Sequence, residues 1–313
     1  MQKHVLVTGF NGFVGAHLVR ALAGAGCMVS GLSRTGDMPS EIEELLEGSV
    51  ICDLVDPGAV IKLDFAPYDA VINLAGLAGV GASFAEPERY MRINVGVLSN
   101  LCEALVRQKL SPRVIAVSSG AVYASDQPMP LHEDSRIATT ASPYTKSKQA
   151  MEAAALEYRS SGLPDCIIVR PFNHFGPGQK AGFIVPDMYA GLVEAVSSGK
   201  PLKVGNLSTR RDYTDVRDVV KAYVALVMAE QLDEPIYNVC SGVSRSGEEI
   251  LNAFQELIPG ADKVQTELDP GLIRPTDPAK LVGNNERIRE ASGWRPTIPF
   301  QITIADFIAS ERF

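Results

Sequence analysis

The stretch Thr8-Gly9-Phe10-Asn11-Gly12-Phe13-Val14-Gly15 constrains this chain more than any other part of it. It follows an apolar run at 4–8 and opens a helical pattern at 13–23. Gly9 permits a tight turn, Gly12 lets the backbone approach a pyrophosphate, and Gly15 lets helix and strand pack closely, with Asn11, Phe13 and Val14 between them. The open N–H groups and positive end of the helix then meet the anion. A bare glycine triplet says little, but strand, turn and helix in this order are the context that dinucleotide binding requires.

The alternation continues. Apolar runs at 28–33, 70–75, 113–118 and 166–170 are separated by helical stretches, among them 94–108, where Leu98, Leu101 and Leu105 recur at helical spacing. Short buried strands alternating with helices predict a doubly wound α/β fold with a parallel sheet covered on both faces. The second half is less regular. A helix is expected at 216–230 and a strand at 236–240, and Ser246 with Glu249 forms a capping box opening a helix at 247–257. Proline-rich turns (Pro259, Pro270, Pro275, Pro278) precede a last helix at 301–310. The expected division is a dinucleotide-binding domain of residues 1–171 with 212–240, and a smaller α/β substrate domain of 172–211 with 241–313.

Charge narrows the partners. The net charge of −8 disfavours a nucleic-acid or anionic-membrane binder, so a diphosphate ligand needs arginines gathered locally. The five cysteines (Cys27, Cys52, Cys102, Cys166, Cys240) are scattered, with no pair at metal-ligand spacing. A reduced cytoplasmic protein without a metal is expected. Neither a secretory leader nor an apolar run of membrane length is evident.

The end of the second strand selects the dinucleotide. Leu32-Ser33-Arg34 stands where an acid would bind a ribose 2′-hydroxyl. Serine and arginine accept a 2′-phosphate, so NADP is expected and NAD is possible. Asp53, with Leu54, follows the third strand and is a candidate for the adenine amino group, although a loop aspartate is more often a turn residue.

Ser142-Pro143-Tyr144-Thr145-Lys146-Ser147-Lys148 opens a long helix, with Ser142 as N-cap and Pro143 in the first turn. Tyr144 and Lys148 share one face. A carbonyl receiving hydride needs a proton, and a tyrosine with its free pKa of about 10 holds one too tightly. A lysine cation beside it eases that proton off. Ser119, after the strand at 113–118, is placed to bind the same carbonyl oxygen. A turn serine and a solvated lysine are the bland alternatives for this set.

The glycine loop, Asn73-Leu74-Ala75-Gly76, Asn94, the serine strand and the Tyr144–Lys148 pair resemble the extended short-chain dehydrogenase/reductase family over nearly the whole chain. The resemblance implies a Rossmann sheet with a C-terminal substrate domain, nucleotide-sugar chemistry, and a catalytic triad of Ser119, Tyr144 and Lys148. By it, Asn94 supports the lysine through water, and Leu74, Ala75, Gly76, Asn94, Pro171 and His174 join the cofactor site. It also implies a homodimer through the helices near 94–108 and 144–160. The loop Asn173-His174-Phe175-Gly176-Pro177-Gly178-Gln179 is similar to that of bacterial GDP-4-keto-6-deoxy-D-mannose reductases, as are the segments around Asn206, Arg211 and Arg274. The likeness implies that Asn173, Asn206, Arg211 and Arg274 touch a nucleotide diphosphate sugar, and that its C4 keto group is reduced to give GDP-D-rhamnose.

Three other readings compete. A 4,6-dehydratase needs acidic groups after the serine, where this chain has Gly120 and Ala121. An NAD-dependent nucleotide-sugar 4-epimerase needs only the triad and a tightly held cofactor, and is the main alternative. A non-catalytic redox sensor usually lacks the tyrosine or lysine, and both are present.

Overall fold

The computed structural model describes residues 2–273 and 278–311. Six strands alternate with helices in the first half: β1 (His4–Thr8), β2 (Met28–Ser33), β3 (Gly48–Ile51), β4 (Ala70–Asn73), β5 (Arg113–Val117) and β6 (Asp165–Pro171). Shorter ones follow: β7 (Asn173–Phe175), β8 (Leu202–Val204), β9 (Arg210–Asp215), β10 (Ile236–Val239), β11 (Ser244–Ser246), β12 (Thr266–Leu268) and β13 (Lys280–Leu281).

Seven strands form one parallel sheet in the order β10-β6-β5-β4-β1-β2-β3. The chain winds outward from β1 to β3, then returns to the other side of β1 to lay down β4. The crossovers before and after this reversal leave on opposite faces, so a crevice opens at the carboxyl ends of β1 and β4. Thr8 closes its floor: its hydroxyl donates to Asn73 Oδ1 at 2.7 Å and accepts from the Ala75 amide at 3.1 Å.

Side chains alternate across the sheet, which gives it two cores. Val5 and Val7 face the helices Phe13–Gly24 and Val216–Met228, and pack with Leu18, Leu22, Val219 and Tyr223. Leu6 faces the helices Pro87–Arg107 and Pro143–Ser160, among Leu98, Leu101, Leu105 and Met151. A smaller lobe has its own core of Phe175, Leu192, Tyr213, Phe254, Ile304 and Phe307. It is built on the mixed sheet of β7, β9, β11 and β13, the β8–β12 pair, and the helices Ile184–Ser198, Gly247–Leu257 and Phe300–Ser310. The architecture is a Rossmann-like parallel sheet with a smaller C-terminal α/β lobe.

Both main-sheet strands expected at 4–8 and 28–33 have those bounds, and the capping box of Ser246 and Glu249 is present in both directions. The helix expected at 94–108 instead starts at Pro87. Its first turns, Pro87-Glu88-Arg89-Tyr90-Met91-Arg92, carry too few apolar residues to show a stripe. Among the described residues no helix is long and apolar enough to cross a membrane. All five cysteines are free and buried.

Gly15 is the tightest contact in the first βα unit. A Cβ there would overlap the Gly9 carbonyl oxygen and lie 2.5 Å from that of Phe10. Gly15→Ala is expected to cost about 1–3 kcal/mol through forced separation of helix and loop. Gly24→Ala, at the far end of the same helix with nothing within 4 Å, is the control. Urea unfolding of both variants checks this, and equal midpoints would refute the close-packing account.

Candidate active site

The glycine loop lies at the crevice. Gly9 has φ +68°, and a Cβ there would sit 3.1 Å from the Ala75 amide. Gly12 holds the N-cap position of the first helix, and no side chain caps it, so its first-turn amides remain available to an anion. Asn11 bridges outward, with Nδ2 donating to the Asp37 carbonyl at 2.9 Å. Phe13 and Val14 are half-buried in the opening turn. A backbone cradle that excludes side chains and presents a helix amino end fits a dinucleotide pyrophosphate.

The structure separates the two residues at the end of β2. Ser33 is buried and its hydroxyl donates to the Thr35 carbonyl within its own loop. Arg34 is exposed beside it. Asp53 is exposed and accepts from the Val55 amide at 3.0 Å, a local turn bond. Leu54 is buried in the adjoining core. Leu74 and Ala75 are half-buried and Gly76 is exposed, all at the mouth of the crevice.

Tyr144, Lys148 and Ser119 converge. Ser142 caps the helix Pro143–Ser160 by accepting from the Thr145 amide, with Pro143 in its first turn. Tyr144, Ser147, Lys148, Met151, Glu152 and Ala155 form its buried face. Burial pushes the Tyr144 hydroxyl up; hydrogen bonding with Ser119 draws it partly back, and the Tyr90 phenol adds to the rise. The Tyr90 ring meets the Tyr144 ring edge to face, with centroids 6.3 Å apart. Lys148 Nζ donates to the Val117 carbonyl at 2.8 Å. Burial lowers the Lys148 ammonium to about 8, against the opposing pull of the Glu152 carboxylate. Ser119 Oγ also accepts from the Ala121 amide at 3.1 Å.

Asn94 fastens this set to the crevice. Its Nδ2 donates to Ser147 Oγ at 2.9 Å and to the Leu77 carbonyl at 3.2 Å, and its Oδ1 accepts from the Leu77 amide at 2.7 Å. Gly76 lies between Asn94 and Lys148: a Cβ there would be 2.8 Å from Asn94 Oδ1 and 3.9 Å from Lys148 Nζ.

Beyond β6 the chain enters the smaller lobe. Pro171 is buried, and His174 Nδ1 lies 3.0 Å from the Phe172 carbonyl, with burial lowering its imidazole. Asn173 is exposed on β7. Asn206 is exposed, and its Oδ1 accepts from the Ser208 amide and hydroxyl. Arg211 lies on β9, where Nη1 donates to the Arg210 carbonyl at 2.8 Å. Arg274 lies outside the described residues. The lobe meets the first helix where His17 Nε2 is 2.9 Å from the Pro177 carbonyl.

Sequence reasoning missed the buried polar frame beneath these groups. Glu152 accepts from Arg170 through both oxygens, at 2.9 and 2.7 Å, and from the Ser118 hydroxyl. Arg170 Nη1 also donates to Tyr123 OH and to the Glu133 carbonyl, each at 2.9 Å. Tyr123 OH donates to Asn238 Oδ1 at 2.7 Å, and the Asn238 amide donates to Glu133 Oε1 at 2.8 Å. The available signal was spacing: Glu152 is one turn beyond Lys148 on the same face. Among the described residues no group of three or more His, Cys, Asp or Glu is placed to hold a metal ion.

Comparison with known proteins agrees with this geometry. The NAD dependent epimerase/dehydratase family matches residues 5–240. The chain is 32% identical over 305 residues to the GDP-6-deoxy-D-mannose reductase of Pseudomonas aeruginosa, covering 95% of this chain and 93% of that one. It is 31% identical over 315 residues to the UDP-glucose 4-epimerase of Mycolicibacterium smegmatis, covering 97% and 96%. Among solved structures, RMD from Pseudomonas aeruginosa complexed with NADPH superposes with a TM-score of 0.84 at 28% identity, covering 100% of both chains. MoeE5 in complex with UDP-glucose and NAD superposes with a TM-score of 0.82 at 26% identity, covering 99% and 98%. With its glycine cradle, its Tyr144–Lys148 face and a match spanning residues 5–240, the chain belongs to the NAD dependent epimerase/dehydratase family.

Proposed function

We propose that this protein is an NAD(P)-dependent oxidoreductase that moves hydride at C4 of a nucleotide-linked hexose. The observation that carries this reading is the convergence of Ser119, Tyr144 and Lys148 at the carboxyl end of β5, beside the Gly9–Gly15 cradle. The cradle, Asp53 and the loop at Leu74–Gly76 would hold the dinucleotide, whose nicotinamide supplies or accepts the hydride when bound. Asn173, Asn206, Arg211 and Arg274 would hold the sugar nucleotide, with arginine forks on the diphosphate. The sequence predicts the cofactor domain at residues 1–171 with 212–240 and the rest as the substrate domain; because β9 (Arg210–Asp215) pairs within the smaller lobe, we place the second boundary after β9, at 216–240.

Chain residues handle the proton. As hydride reaches C4, Tyr144 OH gives its proton to the carbonyl oxygen, which Ser119 orients. In the reverse direction the phenolate takes the proton of the 4-hydroxyl, and the Lys148 cation steadies that phenolate. Tyr144→Phe is expected to bind dinucleotide normally and lose roughly 10²–10⁴-fold in kcat. The ammonium of Lys148 persists below about pH 8 and is lost above it. The kcat/KM of carbonyl reduction is therefore expected to fall as pH rises through that value. A flat profile between pH 7 and 9 would remove Lys148 from this role.

The outcome we favour is 4-epimerisation: oxidation at C4, turning of the keto-sugar, and return of hydride to the opposite face. Its support is the UDP-glucose 4-epimerase likeness, which spans 97% of the chain, and the NAD and UDP-glucose named for the MoeE5 structure. Net reduction of a 4-keto-6-deoxyhexose, as in GDP-4-keto-6-deoxy-D-mannose to GDP-D-rhamnose, is the second reading. Two observations favour it. Burial leaves Tyr144 resting as an acid, ready to give a proton, and the end of β2 carries Arg34 in place of an acid. The likeness to GDP-6-deoxy-D-mannose reductase points the same way.

Purified protein should be incubated with UDP-glucose without added cofactor, and with GDP-4-keto-6-deoxy-D-mannose plus NADPH. Epimerisation predicts UDP-galactose and no net change in dinucleotide absorbance. Reduction predicts one NADPH consumed for each sugar. If neither sugar turns over, both named substrates are wrong. Under the reductase reading, Arg34→Ala is expected to weaken NADPH by about 1.5–3 kcal/mol while sparing NADH. An unchanged NADPH/NADH ratio of kcat/KM excludes Arg34 from the 2′-phosphate site.

A further inference from the structure

The frame beneath the site is unusual in where its charges lie. Glu152 and Arg170 are almost completely buried, with side-chain exposures of 8% and 4%. Burying such a pair rarely adds stability over packed apolar side chains, so its presence calls for another account. Glu152 reaches two parts of the site at once. It accepts from Ser118 Oγ, and Ser118 lies between Val117, whose carbonyl takes the Lys148 bond, and Ser119, whose side chain opposes the upward shift of the Tyr144 hydroxyl. It also stands one helical turn from Lys148 on the buried face.

We infer that Glu152 is a positioning residue. Clamped by Arg170, its carboxylate fixes the 117–119 turn through Ser118 and serves as the shared countercharge of Arg170 and Lys148. This rests on the assignment of Lys148 to the proton-handling site.

Of the groups packed about this part of the helix, Tyr90 and Tyr223 interact with Tyr144, Asn94 holds Ser147, and Arg170 from β6 holds Glu152. Glu152 is the carboxylate that acts on the Lys148 ammonium, working against its burial. Take its charge away and two buried cations remain. Arginine does not give up its proton, so lysine must.

Three variants test this, each checked for folding by thermal melting and for dinucleotide binding. Glu152→Gln keeps an acceptor for Ser118 but removes the charge. Its high-pH limb of kcat/KM is expected to move down by about one pH unit or more. Glu152→Asp keeps the charge on a shorter arm: the limb should stay in place while kcat falls. Ser118→Ala cuts the link to the turn without stranding a charge. Its kcat is expected to fall roughly tenfold or more, with melting temperature and KM little changed.

A purely structural pair would lower stability and leave the limb where it was. An unmoved limb in folded Glu152→Gln therefore overturns the countercharge role, and wild-type kcat in Ser118→Ala overturns the positioning role. If Glu152→Gln does not fold, Glu152→Asp decides, because a limb that shifts with the charge retained contradicts the inference. Lys148→Met separates the inference from its premise. A limb that survives there overturns the assignment of Lys148 itself, whereas a limb lost there and unmoved in Glu152→Gln overturns the inference alone.

Discussion

The contact of Gly15 with the carbonyls of Gly9 and Phe10 sets how closely the first helix approaches the sheet. A side chain at that position would push the helix away from the crevice and turn its open amides off the pyrophosphate line. The approach is held from the other side by Thr8, whose hydroxyl joins β1 to Asn73 and Ala75. Phe10 fills the space beneath, fully buried against Gly31, where a Cβ would strike its ring. Thus three glycines, one threonine and one phenylalanine define a backbone pocket before any ligand-specific side chain is considered.

The catalytic face depends on that pocket through a short relay. Asn94 joins the 76–77 segment, which follows β4, to Ser147 in the helix bearing Tyr144 and Lys148. The glycine cradle and the Tyr144–Lys148 face are therefore referred to the same strand ends. Rigidity here has a function: a reacting carbonyl must meet hydride and proton together, and misplacement of about 1 Å is costly.

Much of this was legible in the sequence because it is local. The glycine loop, and separately the Ser142 cap with the Pro143 start and the Tyr144–Lys148 pair, each span only a turn or two of chain. Strand bounds came from short, largely apolar runs such as 28–33. What was not legible joins distant parts of the chain. Glu152, Arg170, Tyr123, Glu133 and Asn238 look ordinary one by one, and only the fold makes them a network. The early turns of the helix Pro87–Arg107 escaped for a different reason: tertiary packing buries Tyr90 without an apolar stripe to announce it. Ser33 shows a third limit, since its hydroxyl is taken by its own loop and sequence cannot tell a ligand contact from a local bond.

The two central ionisable groups are displaced by the same cause in opposite senses. Burial disfavours whichever form is charged, so it raises Tyr144 and lowers Lys148. The order in which protons leave is thereby inverted from what free tyrosine, at about 10, and free lysine, at about 10.4, would leave almost level. As pH rises, Lys148 discharges first, near 8, while Tyr144 still holds its proton. In the proposed role, a neutral phenol on the same buried helix face as a cation suits proton delivery to a carbonyl oxygen. Running the site in the other direction requires something to stabilise the phenolate, and Lys148 serves only while it is charged. The carboxylate that opposes its discharge is Glu152, and Arg170 keeps that carboxylate in place. If Tyr144 and Lys148 handle the proton as proposed, the buried Glu152–Arg170 pair would bear on which direction of hydride transfer the site can sustain at a given pH.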